Sequence, residues 1–312
     1  MSGYEELQVH RRMLLDGVRN EAYRTALSQV VKPGSVVLDM GAGTGILSIF
    51  AAQAGARRVF AVERTAAASV ARRMVERNGW QDRIEVIEAD LEDVDLPEKV
   101  DVLVSEWMGG IGVDENMLAP LVMARDRWLK PGGTIVPGRV TALFAPASVS
   151  EYDDDLEYWR SRPHGVDMSV IANITTHETL MTQSYVTSED FLAEPVVMWS
   201  HDPYICSLEE ADQPFRTKAR FEATRAGKLT GLLAWFSAEM VEGLRLTNAI
   251  GAPDTHWGRM LLPLHQALDV AKGTSIEVEL RCEQSTPGTC EFYWAVQVAG
   301  GAREEHDTRR GG

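Results

Sequence analysis

The feature that most constrains this chain is the alternation of short apolar strands with helical segments over residues 36–136, opened by a glycine-rich turn. Val36-Val37-Leu38 reads as a buried strand and runs straight into Asp39-Met40-Gly41-Ala42-Gly43-Thr44-Gly45. Residues 46–54 carry a helical pattern ended by Gly55, 59–62 a second strand, and 66–78 a helix ending near Gly79. Residues 84–87 and 100–104 read as a third and fourth strand. A helix is expected over 117–128, and Lys130-Pro131-Gly132-Gly133 reads as a turn into another strand. Ahead of all this, residues 5–29 show helical spacing until Lys32-Pro33-Gly34 breaks it. Such alternation predicts an α/β, doubly wound sheet whose site lies beyond the carboxyl ends of its strands.

After Pro137 the texture changes. Residues 140–144, 196–198, 215–223, 229–236 and 276–280 read as strands with no regular helices between them. This predicts an antiparallel β-barrel or sandwich, and divides the chain into domains of residues 1–137 and 138–312. Residues 150–182 begin acidic and read as a partly helical insertion. Residues 300–312 are polar and are expected to form a mobile tail.

Charge bears on what this surface attracts. The 31 Lys and Arg against 46 Asp and Glu leave a net charge of −15. That balance disfavours nucleic acid and anionic membranes as partners and favours a cationic one. No apolar run is long enough for a membrane span, and residues 1–6 lack a signal peptide's basic start and apolar core. Cys206, Cys282 and Cys290 form neither a disulfide framework nor a metal motif, so a reduced, cytoplasmic setting without a metal is expected.

Gly41, Gly43 and Gly45 let the backbone turn tightly against a ligand after Asp39. The spacing is not the dinucleotide fingerprint, which needs glycine where Ile46 stands, and no Lys follows to make a phosphate-binding loop. Gly-x-Gly-x-Gly after a strand instead suits S-adenosylmethionine, which has no phosphates to cradle. Glu63, ending the second strand, suits two ribose hydroxyls. Asp90, Leu91 and Glu92, after the third strand, fall where the adenine should lie, although Glu92 also belongs to an acidic run that could be a solvated face.

The loop after the fourth strand bears on the acceptor. In Ser105-Glu106-Trp107-Met108-Gly109-Gly110-Ile111-Gly112-Val113-Asp114-Glu115, two glutamates flank a glycine-rich turn that could aim both into one pocket. Paired carboxylates match the planar five-donor fork of a guanidinium. They could also form a hydrolase-like dyad with one raised pKa, a reading disfavoured by the nucleotide site beside them.

Ser105-Glu106-Trp107-Met108-Gly109 with Glu115 resembles the double-glutamate loop of the protein arginine methyltransferases. Residues 37–47 resemble that family's first motif, residues 124–129 the helix after the loop, and Thr255-His256-Trp257 its Thr-His-Trp loop. The resemblance implies a Rossmann-like methyltransferase domain followed by an antiparallel β-barrel, with residues 150–182 as a helical dimerisation arm and a homodimer as the assembly. It implies that Arg19 holds the cofactor's carboxylate with His10 nearby, that Glu63 holds the ribose, and that Glu92 lies by the adenine. Glu106 and Glu115 would clamp the guanidinium, His256 would pair with Asp16, and Met13, Met117, Trp257 and Tyr4 would line the acceptor site.

Two departures stand out. Tyr4 matches the second tyrosine of the family's N-terminal helix, but the first tyrosine and its phenylalanine have no counterpart. Gly110-Ile111-Gly112 replaces an aromatic and bulky residues, which predicts a more open or more mobile pocket mouth. The implied activity is S-adenosylmethionine-dependent methylation of a terminal guanidino nitrogen, giving mono- or asymmetric dimethylarginine on a protein. Free arginine or another small guanidine is an alternative acceptor, and a non-catalytic binding scaffold is a distant one. Arg309-Arg310-Gly311-Gly312 resembles a methylated segment and raises self-methylation as a further expectation.

Overall fold

The structure, a computed structural model, describes residues 7–182, 186–286 and 289–311. Two helices open it, α1 (Leu7–Leu15) and α2 (Gly17–Val30). The single helix expected over residues 5–29 is broken at Asp16, whose carboxylate caps α2 by accepting the Arg19 N–H at 2.8 Å. An aspartate at this position satisfies a helix-start amide and aims its remaining oxygen elsewhere.

Then come β1 (Val36–Met40), α3 (Ile46–Gln53), β2 (Arg58–Glu63), α4 (Ala67–Arg77), β3 (Ile84–Glu88), β4 (Val100–Ser105), α5 (Leu118–Trp128) and β5 (Leu129–Val136). The five strands form a parallel sheet in the order β3-β2-β1-β4-β5. Every residue of β1 is buried, as expected of a strand covered on both faces. The chain reverses direction across the sheet at β1, so the carboxyl ends of β1, β2 and β4 open side by side into one crevice. The turn expected at residues 130–133 lies within β5, not ahead of it.

The change from parallel to antiparallel pairing falls between Val136 and Val140. Beyond it lie β6 (Val140–Ala147), α6 (Ser150–Arg160), α7 (Ser169–Thr175), β7 (Leu180–Thr182), β8 (Val196–His201) and α8 (Leu208–Ala211). They are followed by β9 (Phe215–Glu222), β10 (Gly227–Val241), β11 (Leu244–Thr247), β12 (Arg259–Val270), β13 (Ser275–Thr286), β14 (Thr289–Val298) and β15 (Arg303–Asp307). One sheet runs β7-β12-β10-β6-β8, with β11 also on β10, and the other runs β15-β14-β13-β9. Contacts of β8 with β9 and of β12 with β14 and β15 bring the sheets together as a barrel-like unit.

The tail expectation is overturned. Residues 303–307 pair with β14, Asp307 accepts the Arg309 N–H, and Gly311 is buried against residues 174–178. Charged sequence here marks an edge strand, because Arg303 pairs with Glu279 and Glu305 instead of facing water alone. Within the insertion, Tyr152, Leu156 and Ala172 pack on Leu233 and Leu261 of the barrel. Tyr158, Val166, Val170, Ile171 and Ile174 leave an apolar outer face exposed.

Candidate active site

A cavity of about 530 Å³ fills the crevice at the carboxyl ends of β1, β2 and β4. It is within the usual size for small-molecule sites. His10, Met13, Arg19, Gly41, Gly43, Glu63, Asp90, Leu91, Glu92, Glu106, Glu115 and Met117 all line it. Residues of α1 and α2 thus meet residues from the carboxyl ends and loops of β1, β2, β3 and β4. Tyr4 lies outside the described residues.

Glu63 is buried at the end of β2, where its two oxygens accept N–H groups of Gly43 (2.9 Å) and Thr65 (2.8 Å). The carboxylate therefore fixes the glycine turn while retaining lone pairs for hydroxyl donors. A Cβ on Gly43, at φ +55, would come within 3.0 Å of the His10 ring, so glycine there lets His10 close over the turn.

Two glycine-turn residues play a different part from the one the motif implied. Asp39 does not line the cavity. It is fully buried beneath the turn and accepts the Ser48 hydroxyl at 2.6 Å, and burial pushes its carboxyl up to about 6. Gly45 is also off the cavity wall; a Cβ there would touch Ala71, so this glycine serves the packing of α3 on α4.

Arg19 and Glu106 are joined in a buried ion pair, with side chains only 5% and 11% exposed. Arg19 Nε donates to Glu106 Oε2 at 2.5 Å, and its Nη2 donates to the same oxygen. Burial works to lower the guanidinium's pKa, but the Glu106 carboxylate outweighs it and the net shift is upward. Tyr23, fully buried beneath, donates its hydroxyl to the Ser105 carbonyl and so ties α2 to the end of β4.

His256 stands behind Glu106. Its Nδ1 lies 2.9 Å from Asp16 Oδ2, which also accepts the His256 backbone N–H at 2.8 Å. Its Nε2 faces Glu106 Oε1 at 3.6 Å. Burial works to raise the Asp16 carboxyl, but the hydrogen bonds from His256 and Arg19 prevail and hold it below the usual carboxylate range. Asp16 and His256 sit outside the cavity wall, as does Trp257, which is buried and donates to the Met108 carbonyl at 3.1 Å.

The expected open mouth at residues 109–112 is overturned. Gly109, Gly110, Ile111 and Gly112 are buried. Asn248 donates to the Gly110 carbonyl at 3.0 Å, and Trp199 to that of Ile111 at 3.1 Å. A Cβ on Gly112, at φ +92, would meet Val140 at 2.9 Å. The small residues let this loop approach the barrel closely; they do not loosen it.

Tyr23, Trp199, Asn248, and the Leu208, Asp212 and Gln284 that complete the cavity wall, were not anticipated. No local pattern marks them, because each reaches the site through contacts with distant parts of the chain. Among the described residues no group of three or more His, Cys, Asp or Glu is placed to hold a metal ion, and no helix is long and apolar enough to cross a membrane.

A glycine turn without phosphate-binding features, an acidic residue at the end of β2 and an apolar-floored crevice together define a nucleoside-dependent methyltransferase of the Rossmann-like class. Residues 24–137 match the family model for ribosomal protein L11 methyltransferase, and residues 140–291 match the arginine methyltransferase oligomerization subdomain. The chain is 35% identical to protein arginine N-methyltransferase 6 of Danio rerio over 97% of its own length and 89% of that protein's. It is 35% identical to protein arginine N-methyltransferase 1 of Caenorhabditis elegans over 88% of its length and 80% of that protein's. Among solved structures it resembles the Trypanosoma brucei PRMT1 enzyme-prozyme heterotetrameric complex with AdoHcy, at 27% identity, covering 98% of this chain and 99% of that one, with a TM-score of 0.86. The chain belongs to the protein arginine N-methyltransferase family.

Proposed function

We infer that the protein is an S-adenosylmethionine-dependent arginine N-methyltransferase acting on protein-bound arginine. The observation that carries this reading is the convergence of Glu106 and Glu115 on the cavity that the glycine turn and Glu63 also line. The donor set fits the cofactor: Glu63 retains acceptor capacity for ribose hydroxyls, Leu91 and Glu92 flank the adenine position, and Arg19 supplies a cation for the carboxylate. When bound, the cofactor supplies an electrophilic methyl group.

The chain's own part is to bind, orient and deprotonate. A guanidinium stays protonated far above neutral pH, so no side chain here removes its proton beforehand. Glu106 and Glu115 instead hold the cation and draw its positive charge away from the attacking terminal nitrogen. Holding the two reactants in line contributes roughly 7–11 kcal/mol in favourable cases. With Nδ1–H given to Asp16, the His256 Nε2 is an acceptor facing Glu106. A proton released to Glu106 thus has a next station, and Glu115 is the alternative acceptor.

Met13 and Met117, which match methionine positions of family members making mono- and asymmetric dimethyl products, lie in the cavity wall, and with Thr255-His256-Trp257 this supports those products over the symmetric one. The free-arginine alternative drew on the glycine loop and on the N-terminal tyrosine and phenylalanine that have no counterpart here; the loop is packed against the barrel, which takes away the first of these supports. Glu106→Gln and Glu115→Gln should each lose at least 100-fold in kcat with cofactor affinity near normal. Mass spectrometry of an arginine–glycine peptide and of free arginine after incubation with cofactor checks both variant and acceptor; full turnover in both variants refutes the assignment.

The match to an oligomerization subdomain supports an oligomer, and the exposed apolar face at Val166, Val170, Ile171 and Ile174 supports a homodimer through the arm. Val170→Glu should shift the sedimentation coefficient from dimer to monomer while leaving the thermal midpoint within a few degrees. Three free cysteines are consistent with a reduced, cytoplasmic setting.

A further inference from the structure

The double-glutamate loop contains a third carboxylate that the mechanism above does not use. Asp114 precedes Glu115, and its side chain turns back into the loop. Oδ2 accepts the Gly110 N–H at 2.9 Å and Oδ1 accepts the Ile111 N–H at 3.0 Å. The carbonyls of the same stretch point the other way: Met108 to Trp257, Gly110 to Asn248 and Ile111 to Trp199. Amides converge inward on a carboxylate from the loop itself, and carbonyls are held outward by donors from residues 199, 248 and 257. Successive N–H groups gathered on one anion form a compact, directional frame.

The frame also explains Gly109. A Cβ built there would lie 2.3 Å from Asp114 Oδ2 and within 2.6 Å of the other two carboxylate atoms. No side chain fits at residue 109 while Asp114 holds its two amides. Burial pushes the Asp114 carboxyl upward while those backbone bonds pull it down.

We propose that Asp114 is a positioning residue for methyl transfer: by binding the Gly110 and Ile111 amides it fixes the span between Glu106 and Glu115, and so the bite of the clamp on the acceptor guanidinium. Asp114 is not in the cavity wall and touches no reactant; it acts through Glu115. The inference rests on the reading of Glu106 and Glu115 as the acceptor clamp. A clamp must be held within about 0.5 Å of its working geometry by supporting hydrogen bonds. Asparagine cannot replace aspartate here, because its NH₂ would face one of the two N–H donors.

The test uses the full chain, S-adenosylmethionine and an arginine–glycine peptide. Asp114→Asn should lower kcat at least tenfold while the affinity and stoichiometry of cofactor binding, read by calorimetry, stay unchanged; a general loss of fold would lower the stoichiometry. Gly109→Ala should lower kcat similarly, yet add less than twofold in the Asp114→Ala background, since the clash is then gone. Amide exchange at Gly110 and Ile111 should accelerate at least tenfold in Asp114→Asn. A kcat within twofold of the parent in Asp114→Asn, multiplicative losses in the double variant, or unchanged exchange at both amides overturns the proposal. If the parent protein methylates no arginine acceptor, the clamp reading fails and so does a positioning role for Asp114, while the exchange result still decides whether Asp114 frames the loop.

Discussion

Asp16 shows how much one side chain can carry. Its carboxylate starts α2 through the Arg19 amide and holds His256 through both backbone and ring. Substitutions separate the two duties. Asp16→Ala loses both and should cost about 1–2 kcal/mol for the cap alone, seen as a lower thermal midpoint. Asparagine caps a helix about as well but carries no charge. Asp16→Asn should therefore keep most of the stability while lowering kcat through a misdirected His256. Calorimetric melts beside steady-state rates check the pair; equal losses of stability in both variants would refute the division. Glu63, Glu106 and Glu115 were legible in the sequence because each ends a strand or lies within the double-glutamate loop, whereas Arg19, on α2, came only from the family resemblance. Asn248 and Tyr23 were not, because their partners lie 138 and 82 positions away.

At the scale of elements, the loop from Glu106 to Glu115 reverses the usual meaning of glycine. A glycine run suggests freedom when read locally. Here the barrel presses on it, and each missing Cβ leaves room for a neighbouring side chain. The consequences differ between neighbours. A Cβ on Gly110 would clash with the terminal methyl and sulfur of Met181, the far end of a half-exposed flexible side chain that can swing away, and would come no nearer than 3.8 Å to Asp114. Gly112 combines φ +92 with a Cβ position 2.9 Å from Val140 in β6. Gly110→Ala should melt within about 2 °C of the parent, whereas Gly112→Ala should lose on the order of 1–3 kcal/mol. Differential scanning calorimetry distinguishes them. β1, β2 and β4 were legible as apolar runs between turns and β3 by its Ile and Val, whereas β5 was read only in part because Lys130-Pro131-Gly132-Gly133 lies within it. β7, β11, β12, β14 and β15 were missed: the first two span only three and four residues, Pro263 interrupts β12, and β15 is almost wholly charged. A proline is tolerated in β12 because it falls at a register shift against β10, where its carbonyl accepts the Trp294 indole instead.

For the whole molecule, histidines buried without charge couple the fold to pH. Burial lowers His201 to about 4, and its ring packs on Phe215. Burial is also the first cause that lowers His177 and His265, whose rings meet His306 where the insertion of residues 150–182 joins the barrel; repulsion by His306 adds to it. Arg160 and Arg310 push the same way, and Glu304 and Asp307 oppose. The unfolded chain takes up these protons near pH 6.5 and the folded chain only at lower pH, so stability is full above 6.5 and falls as pH drops below it. For His201 the full loss at low pH is on the order of 3 kcal/mol. Asp39 acts in the opposite sense between its ordinary value and about 6, while carboxylates held low in the fold, such as Asp16 and Glu304, add to the loss of stability at lower pH still. His201→Leu should flatten the fall in thermal midpoint between pH 7 and 5; an unchanged slope would show that the imidazole is not buried neutral.

The sequence by itself determined the doubly wound half, the change to antiparallel strands near residue 137, the glycine turn and the two glutamates with their implied chemistry. Those are local facts: periodicity, turn residues and motif spacing act within a dozen positions. Only the tertiary structure decided that Asp39 and Gly45 support the turn without lining the cavity, that the charged C-terminal residues form an edge strand, and that the acceptor loop is clamped shut. Each of these depends on what packs against the segment from a distant part of the chain, and burial and hydrogen bonding across that contact outweigh the local preference.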